Sequence, residues 1–209
     1  MLPTWRAGEH MAIIGQTGSG KSILMSRWLE TRTHFVVLKS KADSTKYPRS
    51  RLTRTADAMD DPRQSRIILR PRFEKQAREF SNALNKAWKT GGWTVAVDEL
   101  FYVDNELKLR APISRILTQG RDQGRISMVT GMQRPSLVTR FALGEASHVI
   151  SFGLEGRDTK ILEQATNKRV AEIAEALPRF HFVHYHVPTR NTWTGKLDMK
   201  TGLFIGRSA

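Results

Sequence analysis

The stretch Gly15-Gln16-Thr17-Gly18-Ser19-Gly20-Lys21-Ser22 fits the pattern G-x-x-x-x-G-K-[ST]. It follows a short apolar run, His10 to Ile14, and opens a helix-compatible run, Ser22 to Glu30. A strand, a glycine-rich turn and a helix in that order form a phosphate cradle. The glycines let backbone N–H groups turn inward, and the helix N-terminus adds positive dipole. Lys21 is placed to reach β- and γ-phosphates, and the Ser22 hydroxyl to ligate Mg²⁺. ATP and Mg²⁺ are therefore the expected ligands, with Gly15, Gln16, Thr17, Gly18, Ser19, Gly20, Lys21 and Ser22 as the nucleotide-binding set.

This turn commits the chain to an α/β fold, and the rest of the pattern agrees. Short apolar runs alternate with amphipathic stretches, as in a largely parallel sheet flanked by helices. The runs predict strands over 10–14, 34–38, 66–69, 93–97, 126–130 and 148–152, and helices over 22–30, 73–89, 111–119, 136–142 and 158–165. Gly91-Gly92 and Gly120 read as helix C-terminal stops. Residues 39–62 read as a long polar loop. Beyond Pro178 the texture changes, and 180–187 alternates histidine with apolar residues. That tail is expected to form an antiparallel hairpin or edge strands, with turns at 192–195 and 200–202. One domain over 1–209 is expected, with a core of about 8–178 and a β extension of about 179–209.

Trp93-Thr94-Val95-Ala96-Val97 is a buried-type strand that ends in Asp98-Glu99. A carboxylate at a strand tip beside a phosphate cradle holds the Mg²⁺ shell, and Asp98 fits that role with Ser22. Glu99 fits the general base that orients and deprotonates a water. A second apolar strand ends in Gln133, whose amide is suited to meet both a γ-phosphate and the attacking water.

Of 209 residues, 34 are Lys or Arg and 20 are Asp or Glu, giving a net charge of +14. That excess points to nucleic acid or another anionic surface as partner. Cysteine is absent, which excludes disulfides and thiolate chemistry. No apolar run approaches the roughly 20 residues that cross a bilayer, so no membrane anchor is expected. The histidines at 181, 184 and 186 invite a metal reading. His184 and His186 share a strand face, but no neighbouring Cys or carboxylate completes a ligand set, so no zinc site is expected there.

The segment from Gly120-Arg121 through the apolar strand to Gln133-Arg134-Pro135-Ser136 resembles the FtsK/HerA superfamily of DNA-pumping ATPases. The continuation 141–154 and Arg157-Asp158 is similar to it as well, and with the phosphate cradle and Val97-Asp98-Glu99 the resemblance covers about residues 8–165. It implies a RecA-like core that assembles as a homo-oligomeric ring, hexamer or pentamer, and moves double-stranded DNA. It also implies an arginine supplied by the neighbouring subunit. By position Arg121 takes that role, with Arg125 and Arg134 as substitutes. A helix C-terminal cation is the plainer reading of Arg121. The chain departs from the family at Leu38-Lys39-Ser40-Lys41, where an acidic or Pro-Lys element often stands. The absence of further domains is most like the genome-packaging ATPases of membrane-containing viruses. Such a motor would sit in a virion or host cytoplasm and meet a capsid or membrane vertex protein.

Candidate contacts to DNA phosphates are Lys39, Lys41, Lys46, Arg49 and Arg51 in the basic 39–54 stretch, together with Lys108 and Arg110. The five tryptophans read mainly as core, with Trp5 an alternative platform for adenine. Two rival readings stand beside a packaging motor. One is a DNA-transfer or chromosome-handling pump of the same superfamily. The other is a nucleotide-dependent assembly switch without motor activity.

Overall fold

The computed structural model describes residues 4–42, 44–47, 49–137, 141–201 and 204–208. It is built on one ten-stranded sheet, ordered β10-β9-β8-β7-β1-β6-β5-β2-β4-β3. The strands are β1 (His10–Ile14), β2 (Phe35–Leu38), β3 (Arg51–Thr53), β4 (Arg66–Leu69), β5 (Thr94–Val97), β6 (Ser127–Met132), β7 (Ala146–Phe152), β8 (His181–His186), β9 (Asn191–Leu197) and β10 (Phe204–Ser208). From β7 to β3 every pairing is parallel. From β7 to β10 every pairing is antiparallel.

The helices are α1 (Lys21–Leu29), α2 (Gln76–Thr90), α3 (Arg110–Gly124), α4 (Phe141–Gly144), α5 (Arg157–Ala165) and α6 (Lys168–Ala176). They cover both faces of the parallel part. Met11, Ile13, Phe35, Val37 and Ala96 point to the α1 side, where Leu24, Met25, Trp28 and Leu29 meet them. Ala12, Ile14, Val36, Leu38, Val95 and Val97 point to the other side, toward Phe80, Leu84, Ile113 and Ile116. Burial on both faces is why β1, β2 and β5 read as unbroken apolar runs rather than alternating ones.

Several expectations shift. The stretch 39–62 is not all loop: it holds β3 and a short 3-10 turn, Ala56–Asp60. β3 was illegible because an exposed edge strand of three residues needs no apolar face. Gly120 does not end α3. It is buried against Ile126 within the helix, which runs on to Gly124 and stops at left-handed Arg125, φ 54°. Residues 192–195 are not a turn but the middle of β9. α6 was missed. The helix expected over 136–142 is a 3-10 turn, Pro135–Leu137, and then α4, with 138–140 outside the described residues. The turn expected at 200–202 is present at 200 and 201, and Gly202 lies outside the described residues.

Trp5 is no adenine platform. Its ring is buried edge-on against Trp28, beneath the Arg32 guanidinium, and its Nε1 donates to the Glu9 carbonyl. This places it before β1, at the sheet edge opposite the glycine-rich turn. Two histidines on that edge are buried and neutral at pH 7. Burial pushes both His10 and His148 down to about 4. The His10 Nδ1 accepts the Met128 N–H at 3.0 Å.

The antiparallel extension is locked by one close approach. A Cβ on Gly195 of β9 would stand 2.4 Å from the Phe182 ring of β8. Gly195→Ala should therefore cost about 1–3 kcal/mol by overpacking, read as a lowered midpoint in denaturant unfolding. Adding Phe182→Leu should recover part of the loss. A Gly195→Ala protein as stable as the wild type would refute this contact.

Candidate functional site

All parallel strands end at one edge of the sheet, the usual place for a ligand in such folds. The glycine-rich turn follows β1, Asp98 and Glu99 follow β5, Gln133 follows β6, and Lys41 lies shortly after β2. The order β1-β6-β5-β2 sets these ends side by side. They line a cleft of about 360 Å³ that includes Thr17, Gly18, Gly20, Lys21, Ser22, Lys41, Asp98, Glu99 and Gln133.

The turn is anchored at both ends. Gly15 N–H donates to the Met132 carbonyl at 3.0 Å, and Leu24 N–H to the Gly20 carbonyl at 2.9 Å. Gly15 is glycine because a Cβ would fall 2.8 Å from both Phe152 and the Ser19 hydroxyl. Gly20, at φ 107°, meets Leu197 of β9 at 2.5 Å from a Cβ position, with Met199 beside it. The antiparallel extension thus packs directly on the phosphate cradle, which the sequence did not foretell.

Lys21 is largely buried, and its Nζ donates to the Gly15 carbonyl at 2.6 Å and the Gln16 carbonyl at 3.0 Å. Burial draws its pKa down, against the pull of Glu99 and Asp98. The Ser22 hydroxyl donates to Asp98 Oδ1 at 2.9 Å across 76 residues of sequence. Gln133 Nε2 donates to the Glu99 carboxylate. Burial pushes the Glu99 carboxyl above the ordinary glutamate range, an effect opposed by Gln133, Lys21 and Lys41.

The residues fit a nucleotide and Mg²⁺. Ser19 Oγ is buried with no hydrogen-bond partner among the described residues, inside a turn suited to phosphate oxygens. Ser22 and Asp98 supply touching hard oxygen donors, and Mg²⁺ takes few protein ligands of this kind.

Other expected residues lie elsewhere. Arg121 is exposed at the opposite sheet edge, where its Nη2 donates to Ser147 Oγ at 3.0 Å and its stem packs beside Gly8. The five residues of β1 separate it from the cradle by about 17 Å. Arg134 is exposed beside Gln133, and Arg125 is the left-handed cap of α3.

The basic stretch does not act as one patch. Lys39 is only 3% exposed and its Nζ lies 5.2 Å from the Tyr47 ring, which removes it as a DNA contact. Lys41 lines the cleft beside the glycine-rich turn, and Lys46 lines an adjoining hollow with Arg27 and Lys200. Arg49, Arg51 and Lys108 are exposed. Arg110 is engaged with the buried carboxylate of Asp104 at 3.0 Å.

Sequence reasoning also missed Gly131. A Cβ there would stand 2.3 Å from the Asp98 carbonyl oxygen, so a bare backbone on β6 is what lets the β5 tip settle against it. A glycine inside an apolar strand was the available signal. Gly131→Ala should cost about 1–3 kcal/mol and displace Asp98 from Ser22. Thermal unfolding and Mg²⁺-dependent binding of a fluorescent ATP analogue would both register it. Wild-type values in both would show that the approach does not position Asp98.

No protein-family model matches the chain, and no curated protein matches it. Solved structures do. The genome packaging NTPase B204 from Sulfolobus turreted icosahedral virus 2, in complex with AMPPCP, superimposes with a TM-score of 0.74 at 16% identity, over 90% of this chain and 97% of that one. B204, the DNA-packaging ATPase from Sulfolobus turreted icosahedral virus, gives 0.65 at 18% identity over 91% and 98%. The pCW3 conjugation coupling protein TcpA gives 0.53 at 15% identity over 86% of this chain and 57% of that one. At such identities the likeness is one of fold, and this chain has the RecA-like P-loop ATPase fold of those proteins.

Proposed function

We propose that the protein is an ATP-hydrolysing motor that moves double-stranded DNA, of the kind that packages a viral genome. The observation that carries this reading is the convergence of the cradle, Ser22–Asp98 and Glu99–Gln133 on one cleft. The shared fold with packaging NTPases and the net charge of +14 support it.

Lys21 and the cradle N–H groups bind the β- and γ-phosphates of ATP. Ser22 and Asp98 would hold Mg²⁺, which neutralises phosphate charge when bound. Glu99 accepts a proton from the attacking water as oxygen bonds to the γ-phosphorus and the bond to the ADP oxygen breaks. Gln133, whose amide rests on Glu99, is within the same cleft and senses the γ-phosphate. Lys41 adds a cation to the phosphate side.

Arg121 is directed to a neighbouring subunit of a homo-oligomeric ring. Its place on the edge away from its own cradle suits a residue that works in trans. Arg49, Arg51 and Lys108 are the exposed cations offered to the DNA backbone, a contact set by charge rather than sequence. The ring would dock on a capsid or membrane vertex protein. Among the described residues no helix is long and apolar enough to cross a membrane.

ATP hydrolysis with and without long double-stranded DNA tests the reading. Turnover should rise with DNA, and the stimulation should fade with salt as counterions compete for phosphates. Glu99→Gln should keep nucleotide binding and lose about 10²–10⁴-fold in turnover. Turnover indifferent to DNA would move the assignment to the assembly switch.

The pH profile follows from buried Lys21 and half-buried Glu99. Glu99 must be ionised to take a proton, and its carboxyl is raised, so activity should fall on acidification at a higher pH than an ordinary glutamate would give. Lys21 must stay charged, and its lowered pKa should bring the alkaline limb down earlier than an exposed lysine would. A flat rate between those limbs' ordinary positions would contradict the assignment of both residues.

A further inference from the structure

The sheet edge opposite the nucleotide cleft gathers chemistry that the motor reading does not use. β7 and β8 pair so that His148 stands across from His186, and their rings stack at 4.6 Å with 30° between planes. Glu9, just before β1, reaches the same point. The His148 Nε2 lies 3.1 Å from Glu9 Oε2.

Both imidazoles are tethered through Nδ1. His148 Nδ1 lies 3.1 Å from His184 Nε2, and His186 Nδ1 lies 2.8 Å from Thr189 Oγ1. This is how metal-bound histidines are commonly oriented, with the second nitrogen held by a neighbour. It leaves the two imidazoles and a carboxylate facing one another, with one ligand-capable atom of each within 4.8 Å of the others. A proton shared between His148 and Glu9 would satisfy those two groups alone. It would leave His186 Nε2, which is buried and without a hydrogen-bond partner among the described residues.

We propose that Glu9, His148 and His186 bind a zinc-class divalent ion that clamps the antiparallel extension to the start of β1. The donor set, two imidazoles and one carboxylate, suits Zn²⁺ and disfavours Mg²⁺ and Ca²⁺, which prefer all-oxygen shells. Tetrahedral Zn²⁺ needs ligand atoms about 3.3 Å apart, given bonds of about 2.0–2.1 Å. The Glu9–His148 pair already meets this. His186 has to close by at most about 1.5 Å on the same estimate. Glu9 and His186 are only partly buried, so water can take the fourth position.

The clamp has a structural consequence. It joins the segment before β1 to β7 and β8, and β8 carries β9, whose Leu197 rests on Gly20 of the cradle. The ion would therefore brace the extension from the far edge while leaving the cleft free for Mg²⁺.

The test uses the full chain, stripped with chelator and dialysed into buffer without nucleotide or Mg²⁺. Co²⁺ titration should give a visible absorption band that saturates at one ion per chain and is abolished by Zn²⁺. Glu9→Gln and His186→Gln should each weaken uptake at least about 10-fold. Thr189→Val, which frees the His186 ring, should lose about 10–100-fold. His181→Gln should leave uptake unchanged, because His181 Nδ1 faces the Arg179 carbonyl instead. Zn²⁺ should raise the melting midpoint of the wild type and leave His186→Gln unmoved. Binding of an ATP analogue at wild-type affinity certifies that each variant is folded. Absence of the Co²⁺ band in the wild type, or an undiminished band in folded His186→Gln, would overturn the proposal.

Discussion

Parallel pairing of β6 between β1 and β5 is the constraint on which the site depends. Parallel strands need crossovers, so the chain must run back across the sheet, mostly through a helix, before the next parallel strand begins. Each strand from β1 to β7 therefore delivers its C-terminal residue to the same edge. The cradle, Asp98-Glu99 and Gln133 come from distant parts of the sequence and still share one cleft. The β6 position also explains Gly131: two strand tips approach so closely that one of them must present bare backbone.

The electrostatics follow from that crowding. Lys21 and Glu99 are both drawn out of water, and each is pushed toward its neutral form by burial. Their mutual attraction partly offsets the cost, as does the Gln133 amide on Glu99. A buried lysine satisfied by backbone carbonyls is a strong phosphate receptor, because it gives up neutral acceptors for charged ones. A carboxylate raised by burial is a better base than a solvated one. The same burial that organises the core thus tunes the site.

The two sheet edges have separate tasks. The C-terminal edge carries the glycine-rich turn, Asp98, Glu99 and Gln133. The N-terminal edge carries Arg121 on Ser147, the Trp5–Arg32 packing and the Glu9–His148–His186 cluster. The antiparallel extension touches both, since β8 contributes histidines below and β9 contributes Leu197 above. What the sequence suggested was only an antiparallel hairpin or edge strands closing the sheet.

Local patterns are what the sequence by itself determined. The spacing of Gly15 to Ser22, the apolar run into Asp98-Glu99 and the run into Gln133 each depend on contiguous residues, and each was legible. So were most buried strands, because burial on both faces demands an unbroken apolar run. The tertiary structure alone decided the rest. Lys39 became buried and Lys41 entered the cleft, since the fate of a lysine depends on what folds over it. β3 and the middle of β9 needed partners to become strands, as their residues carry no strong pattern of their own. Glu9 joined His148 from 139 residues away. No sequence window reaches that far, and only the register of β7 against β8 and β1 brings those side chains to one point.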